Sequence, residues 1–416
     1  MRPFTSTITL DEARRRLEAA IRPIARTEHV RISDAAGRVV AADVTSVIDV
    51  PPFARAAMDG YAVVSADTTN AAAATPARLR LIDRIYTGQP STVTVVPGTC
   101  AEIATGAPLP AGADAVVMVE ETASEGEQIQ IRVAAAPGSN IGRRGADIMT
   151  GDLVAGAGEV LTPSRIGALA AIGQAEVPVY ARPRVAILST GNEVVEPGHS
   201  LKAGQIYDVN RFTLGAIVDA HGGAPRSHKA AGDTLESLTG ALDDCLESDL
   251  IVFSGGSSVG TRDLVVDLVA ARGEMIFHGI AVKPGKPTAF ALVGTSAKSG
   301  TSEKAGQSAR TPFFGMPGNP TSCLSNAYIL LIPFLRAIAR LPPHTPRTVR
   351  VPLGRRIAST AGRHQFCTVR LENGAAFPAF KGSGDITSLS HADGYVEIPA
   401  GQDLVDEGTL VDVTLF

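Results

Sequence analysis

Residues 254–263 read Ser254-Gly255-Gly256-Ser257-Ser258-Val259-Gly260-Thr261-Arg262-Asp263, directly after the apolar run Leu250-Ile251-Val252-Phe253. Glycines let a backbone approach a ligand closely, and free N–H groups at a helix start attract anions. The segment therefore fits a phosphate cradle, and it fits a ligand-free strand-to-helix turn equally well. Asp263 adds a condition. At a helix start it serves as a cap, but beside a phosphate it needs a cation between the two charges. Mg²⁺, which takes carboxylate and phosphate oxygens together, is the natural bridge.

Five further segments carry groups of this kind. Lys283-Pro284-Gly285-Lys286-Pro287 holds two ammonium groups on a stiff turn, where a bound polyanion relieves their repulsion. Gly315-Met316-Pro317-Gly318-Asn319-Pro320 ends one apolar run and opens another, with Asn319 placed as a helix cap and Pro320 as the first helical residue. Pro317 and Gly318 suit close backbone contact with a flat ligand. Ser189-Thr190-Gly191-Asn192-Glu193 places a carboxylate after another apolar run. Asp59 and Thr105 stand in short turn motifs, Met58-Asp59-Gly60-Tyr61-Ala62 and Ala104-Thr105-Gly106-Ala107-Pro108, whose simplest reading is as turns.

The elements around these segments follow from patterning. Thr9 and Glu12 form a capping box, and Leu10, Ala13, Leu17, Ala20, Ile21 and Ile24 recur at helical spacing behind it. From about residue 31 to 180, short Val- and Ile-rich runs alternate with Gly, Pro and Asp clusters, as in mainly β structure. From 182 to 341 the pattern changes to strand, helix, strand, helix, the grammar of a parallel sheet covered on both faces. The glycine and lysine segments then share one sheet edge, where α/β sheets bind ligands. Residues 294–310, rich in Ser, Gly, Lys and Ala, interrupt this domain and have little to bury, so they are expected to be mobile and dispensable. Short β runs return after Pro342-Pro343, in the manner of a small barrel or sandwich.

Composition narrows the class. The chain has 416 residues, 44% hydrophobic and 19% charged, with a net charge of -4. Such a profile belongs to a soluble globular protein of several domains and argues against a nucleic-acid binder, which carries a basic face. Cys100, Cys245, Cys323 and Cys367 are far apart and form no CxxC pair, as expected of reduced thiols. With no apolar leader in view, and with the apolar run 327–339 short and broken by Pro333 and Arg336, a soluble cytoplasmic protein without membrane contact is expected.

Taken in order, Pro51-Pro52-Phe53 through Ala62, Thr105-Gly106-Ala107-Pro108, Ser189-Thr190-Gly191, the loop 255–260, the lysine turn and Gly315–Pro320 resemble the molybdopterin molybdenumtransferases. This is the MoeA family, also found as the E domain of gephyrin. The resemblance spans nearly the whole chain. It implies a multidomain fold of α/β plus β: a central doubly wound, molybdopterin-binding-like α/β domain, a β-rich inserted domain and a small C-terminal β-barrel. The implied limits are residues 1–30 for a helix packed on the α/β domain, 31–45 with 152–180 for a linking and dimerising domain, and 46–151 for the β-rich insert. Residues 181–341 form the α/β domain and 342–416 the barrel.

The implied reaction takes adenylylated molybdopterin and molybdate, releases AMP and leaves molybdenum on the pterin dithiolate, with Mg²⁺ required. Asp59, Asp263 and Glu193 take catalytic roles, with Asp263 and Glu193 on the metal. Thr105, Asp147, Asp233, Gly255, Gly256, Ser257, Ser258, Gly260, Lys283, Lys286, Pro317, Gly318 and Pro320 hold the substrates. A molybdopterin adenylyltransferase acts just upstream. Two other readings stay open: that adenylyltransferase activity itself, and a non-enzymatic gephyrin-like scaffold dimer. The chain departs from the family at Ala56, often Ser, and at Gly279, often basic, beside which His278 stands as a candidate replacement.

The resemblance also implies a homodimer whose active site combines the β-rich half of one subunit with the α/β half of the other. Each dimer then holds two equivalent shared sites. Mixing inactive Asp59→Asn with inactive Asp263→Asn under subunit exchange is expected to restore activity, because one site per heterodimer is then intact. Confirmed heterodimers without activity would rule the shared site out.

Overall fold

Alternation along single strands sets the architecture. Val185 and Ile187 face one core, while Ala186 and Leu188 face another, and all four are buried. Such a strand needs cover on both faces. In the computed structural model, which describes residues 7–89, 91–191, 193–228, 234–255, 267–269, 272–294 and 310–416, the chain divides into two compact units. One comprises Met1–Glu28 and Tyr180–Phe416, the other His29–Val179.

The first unit centres on a six-stranded sheet. Its spatial order is Ala224–Ser227, Arg184–Ser189, Leu250–Ser254, Thr311–Met316, Ala289–Val293, Gly273–His278. The first four strands run parallel, as the strand–helix alternation predicts. The last two pair antiparallel, which the sequence reading of a parallel sheet did not anticipate. Residues 279–288 join these two strands and contain Pro284 and Pro287, whereas a parallel return needs a crossover of about a dozen residues or more, usually helical.

Helices cover both faces. Leu10–Ala20, Asn210–Ala220 and the segment Pro320–Ile338 bury Leu10, Leu17, Leu214, Ile217 and Leu335 against one face. Leu235–Asp243 buries Leu238 and Leu242 against the other. At the first helix, Thr9 Oγ1 accepts from the Glu12 N–H at 3.2 Å, which is half of the expected capping box. The Glu12 carboxylate turns to the Arg16 guanidinium at 2.7 Å, a charge-assisted bond. Pro320–Ile338 is long and apolar enough to cross a bilayer, yet it lies in the core of this unit, with Ile329, Leu330 and Phe334 buried. It passes through a π-helical turn at Ala327–Leu331, just ahead of Pro333, whose missing N–H removes one helical bond.

A second sheet closes this unit. His364–Glu372, Gly394–Ile398, Leu410–Leu415 and Thr348–Pro352 follow one another across it, and Ala375–Pro378 pairs with the first. At its edge lies a strand from far upstream: Val282–Lys283 pairs in parallel with His364 and Gln365.

The His29–Val179 unit is β-rich. Its main sheet runs Ala115–Met118, Gly60–Val63, Thr99–Ile103, Ala77–Ile85, Gln128–Ile131, Thr122–Glu125. It also contains a helix, Pro163–Ala171, which the reading as mainly β passed over. Thr162 caps it through the Arg165 N–H, and Pro163 opens it.

The aromatic cluster of the first unit makes a stability test. Phe290 is fully buried, with ring centroids of Phe314, Phe334 and Phe277 at 4.9, 5.5 and 5.9 Å. Phe290→Ala is expected to destabilise this unit by ~3–5 kcal/mol. Leu410→Ala, at a side chain 58% exposed, is expected to stay within ~0.5 kcal/mol. Denaturant midpoints decide, and equal losses would contradict the assigned core.

Candidate functional site

Three parallel strands end level with one another. Ser189 pairs with Ser254, and Ser254 with Met316. The turns that follow, at Thr190-Gly191, Gly255 and Pro317-Gly318, therefore emerge side by side. Gly255 has φ +110°, and a Cβ there would lie 2.7 Å from both the carbonyl oxygen and Oγ1 of Thr190. On Gly318 a Cβ would meet the Gly255 Cα at 3.5 Å. Gly255 is required because the two backbones pass each other there with no room for a side chain, whereas the contact at Gly318 is an ordinary one.

A cleft of about 1160 Å³ opens over these turns, above the ~300–1,000 Å³ usual for small-molecule sites and suited to a large ligand. Glu193, Gly255, Lys283, Lys286, Pro317, Gly318 and Pro320 all line it, so segments far apart in sequence converge as expected. Asp233, Gly256, Ser257, Ser258, Gly260 and Asp263 lie outside the described residues, as does most of the segment 294–310.

The lysine turn reaches the cleft because the strand before it, Gly273–His278, ends at the same sheet edge. The C-terminal segment builds the opposite wall with Arg363, Phe380, Ser383 and Gly384, none of which the sequence pattern singles out. Lys283 Nζ donates to Thr360 Oγ1 at 2.8 Å. Asn319 occupies the expected cap position, but its side chain makes no cap bond and donates instead to Ser383 Oγ at 3.1 Å. The Ser383 carbonyl accepts from the Thr321 N–H at 3.0 Å, so the chain itself supplies an acceptor at this helix start. Among the described residues neither His278 nor Gly279 lines the cleft, whereas the guanidinium-bearing Arg363 does.

Asn210, the first residue of the helix Asn210–Ala220, is another that the sequence pattern does not mark. Its Nδ2 donates to Ser254 Oγ and to the Gly318 carbonyl, both at 2.7 Å, tying two of the turns together. Ser189 Oγ, Thr190 Oγ1 and Asn210 Oδ1 are buried at the cleft floor without a partner among the described residues. Such atoms are costly unless a ligand or water engages them.

Among the described residues, two carboxylates line the cleft. Asp208 is buried and engaged: its Oδ1 accepts from the Arg211 N–H at 3.0 Å, and its Oδ2 lies 3.4 Å from Arg211 Nε. Glu193 is exposed, and its carboxylate folds over Gly191, where a Cβ would clash with it. One exposed carboxylate facing this large cleft fits Mg²⁺, which commonly takes one or two carboxylates with substrate oxygens. No cluster of three potential ligands occurs among the described residues.

The His29–Val179 unit carries Asp59, Thr105 and Asp147. Asp59 Oδ1 accepts from the Thr105 backbone N–H at 2.7 Å and from its hydroxyl at 2.9 Å. These bonds, the backbone one foremost, hold the Asp59 carboxyl below its ordinary range, so it is ionised at neutral pH. Asp59 lines a small pocket with Tyr86, Arg84 and Glu102. Asp147 is exposed on another loop and is not among the residues lining that pocket. The four cysteines are buried, and burial pushes their thiols up to about 11 for Cys245 and Cys367 and about 12 for Cys100 and Cys323. They are poor nucleophiles and are not part of the site.

Comparison with known proteins fits this geometry. Three family models match in order: the MoeA N-terminal region (domain I and II) over residues 8–173, a probable molybdopterin binding domain over 186–337, and the MoeA C-terminal region (domain IV) over 350–416. Molybdopterin molybdenumtransferase 2 of Mycobacterium tuberculosis is 35% identical over 405 residues, covering 95% of each chain. The molybdopterin molybdenumtransferase of Haemophilus influenzae is 34% identical over 344 residues, 81% of this chain and 80% of its own. The crystal structure of a molybdopterin biosynthesis MoeA protein from Pyrococcus horikosii superposes with TM-score 0.82 and 38% identity, covering 99% of both chains.

The Asp59–Thr105 pair makes a titration test. Thr105→Val removes the hydroxyl bond and keeps the backbone one, so the Asp59 pKa is expected to rise yet stay below the ordinary carboxylate value of about 3.9. Because the folded pKa is depressed, the bond stabilises above the unfolded pKa and is lost as pH falls through the folded one. Carboxyl ¹³C NMR titration checks this, and an unchanged midpoint would show the hydroxyl to be irrelevant.

Proposed function

The chain belongs to the MoeA family, and from that premise we propose that it inserts molybdenum into molybdopterin during molybdenum cofactor biosynthesis. Its substrates are molybdate and adenylylated molybdopterin, and its products are AMP and a pterin whose dithiolate carries molybdenum. One observation supports this reading above the others: Lys283, Lys286 and Arg363 share a single large cleft with the tight glycine turn and one exposed carboxylate. Two anions, an oxyanion and a pterin nucleotide, call for such a surplus of cationic donors.

The residues divide the task by position. Gly255 and Gly318 bring bare backbone to the floor, and the partnerless Ser189, Thr190 and Asn210 atoms there suit the polar edge of a pterin or its phosphate. Lys283, Lys286 and Arg363 hold the oxyanion. Asp59, kept ionised by Thr105, offers a carboxylate for orienting or proton transfer. Mg²⁺, held by Glu193 and, by the family likeness, Asp263, would neutralise the phosphate as AMP leaves. The same likeness supports a cytoplasmic homodimer fed by a molybdopterin adenylyltransferase.

The protein is expected to release AMP from adenylylated molybdopterin in the presence of molybdate, and to form no adenylylated pterin from molybdopterin and Mg-ATP. The reverse outcome would make it an adenylyltransferase. Glu193→Gln is expected to bind the pterin nucleotide normally while AMP release slows at least tenfold, a rise in barrier of ~1.4 kcal/mol. Release at the parent rate would remove Glu193 from the metal.

A further inference from the structure

The long helix of the first unit buries an amide where apolar side chains predominate. Asn326 is fully buried, one turn beyond the cleft-lining Ser322, with Cys323, Ala327 and Leu330 buried around it. Burying a primary amide is costly unless its hydrogen bonds are made. Asn326 spends its donor on the lysine turn. Its Nδ2 donates to the Gly285 carbonyl at 2.8 Å and to Thr288 Oγ1 at 2.5 Å. Thr288 Oγ1 in turn donates to the same Gly285 carbonyl at 2.9 Å. The three groups close a ring, and its polarity is fixed, because a carbonyl can only accept.

The turn needs this outside help. Pro284 and Pro287 bring no N–H. The Lys286 carbonyl is held by backbone, from the Ile280 and Thr288 N–H groups, but the Gly285 carbonyl is held by the two side chains. Gly285 has φ +104°, and a Cβ there would collide with the Asn326 amide, so the turn rests directly on it. The peptide unit clasped in this way stands between Lys283 and Lys286, both of which face the cleft.

We infer that Asn326 is a positioning residue for the anion site, fixing the spacing of Lys283 and Lys286 by clasping the Gly285 carbonyl from beneath. The inference rests on the reading of that turn as an anion site. Asn326 touches no substrate and acts through the lysines.

The test is a double-mutant cycle read by equilibrium binding of molybdate to the full-length protein. Four proteins are compared: the parent, Lys286→Ala, Asn326→Leu and the double variant. Asn326→Leu is expected to weaken molybdate binding about tenfold, equivalent to ~1.4 kcal/mol, with its thermal midpoint near the parent's. Combined with Lys286→Ala it is expected to add little, because both changes disable the same contact. A general packing defect would instead give additive losses, and that result would overturn the inference. So would normal binding by Asn326→Leu alongside weakened binding by Lys286→Ala. Normal binding by Lys286→Ala would instead sink the anion-site reading itself. If Asn326→Leu does not fold, Thr288→Val opens the same ring from its other side and is held to the same outcomes.

Discussion

Everything in the cleft depends on the register of three parallel strands. Ser189, Ser254 and Met316 stand in one row, so their following turns leave the sheet at the same height. A parallel ladder has evenly spaced bonds, and a shift of one residue would exchange the two buried faces of each strand. Both faces here are packed, with Ala186, Leu188, Ile251 and Phe253 on one side and Val185, Ile187, Leu250 and Val252 on the other. The register that buries the sheet is thus the register that assembles the site. Gly255 follows from this: turns brought so close together leave no space for a Cβ at that position.

The second constraint is a stitch between two sheets. Val282 and Lys283 pair with His364 and Gln365, so the lysine turn belongs to the α/β sheet at one end and to the C-terminal sheet at the other. Arg363 and Thr360 arrive through that pairing, Arg363 on the cleft wall and Thr360 on the Lys283 ammonium. The C-terminal segment also closes the start of the long helix through Ser383. That helix end is capped from within the chain. On the proposed reading, anion binding falls to side-chain cations and to the glycine turns.

Polar groups in this site are held in place from the rear. Asn210 ties Ser254 to Gly318, Asn326 ties Gly285 to Thr288, and Arg211 engages Asp208. Each sits in low dielectric, where a made hydrogen bond is stiff and a broken one is costly, although Oδ1 of Asn210 and of Asn326 has no partner among the described residues. Glu193 is the exposed exception. In the other unit the same economy appears on a smaller scale, with two donors from Thr105 converging on one oxygen of Asp59.

The sequence by itself determined the local and the periodic. Thr9 at a helix start, the buried strand runs at 185–188 and 250–253, the glycine, lysine and Pro-Gly turns, and the order of motifs that marks the family all act over a few residues or repeat at a fixed period. They could be read without a structure, as could the convergence of Glu193, Gly255, Lys283 and Pro317 on one sheet edge. Tertiary structure decided what depends on long-range pairing. The antiparallel entry of two strands depends on pairings that no local pattern records, and the stitch at Val282–Lys283 and the arrival of Ser383 at the cleft join residues 64 to 82 positions apart. Asn319 and Asn210 show the same limit in single side chains. Both stand where asparagine starts a helix, and only the fold decided that one amide turns to Ser383 and the other to Ser254 and Gly318, because hydrogen bonds go to whichever acceptors packing brings within reach.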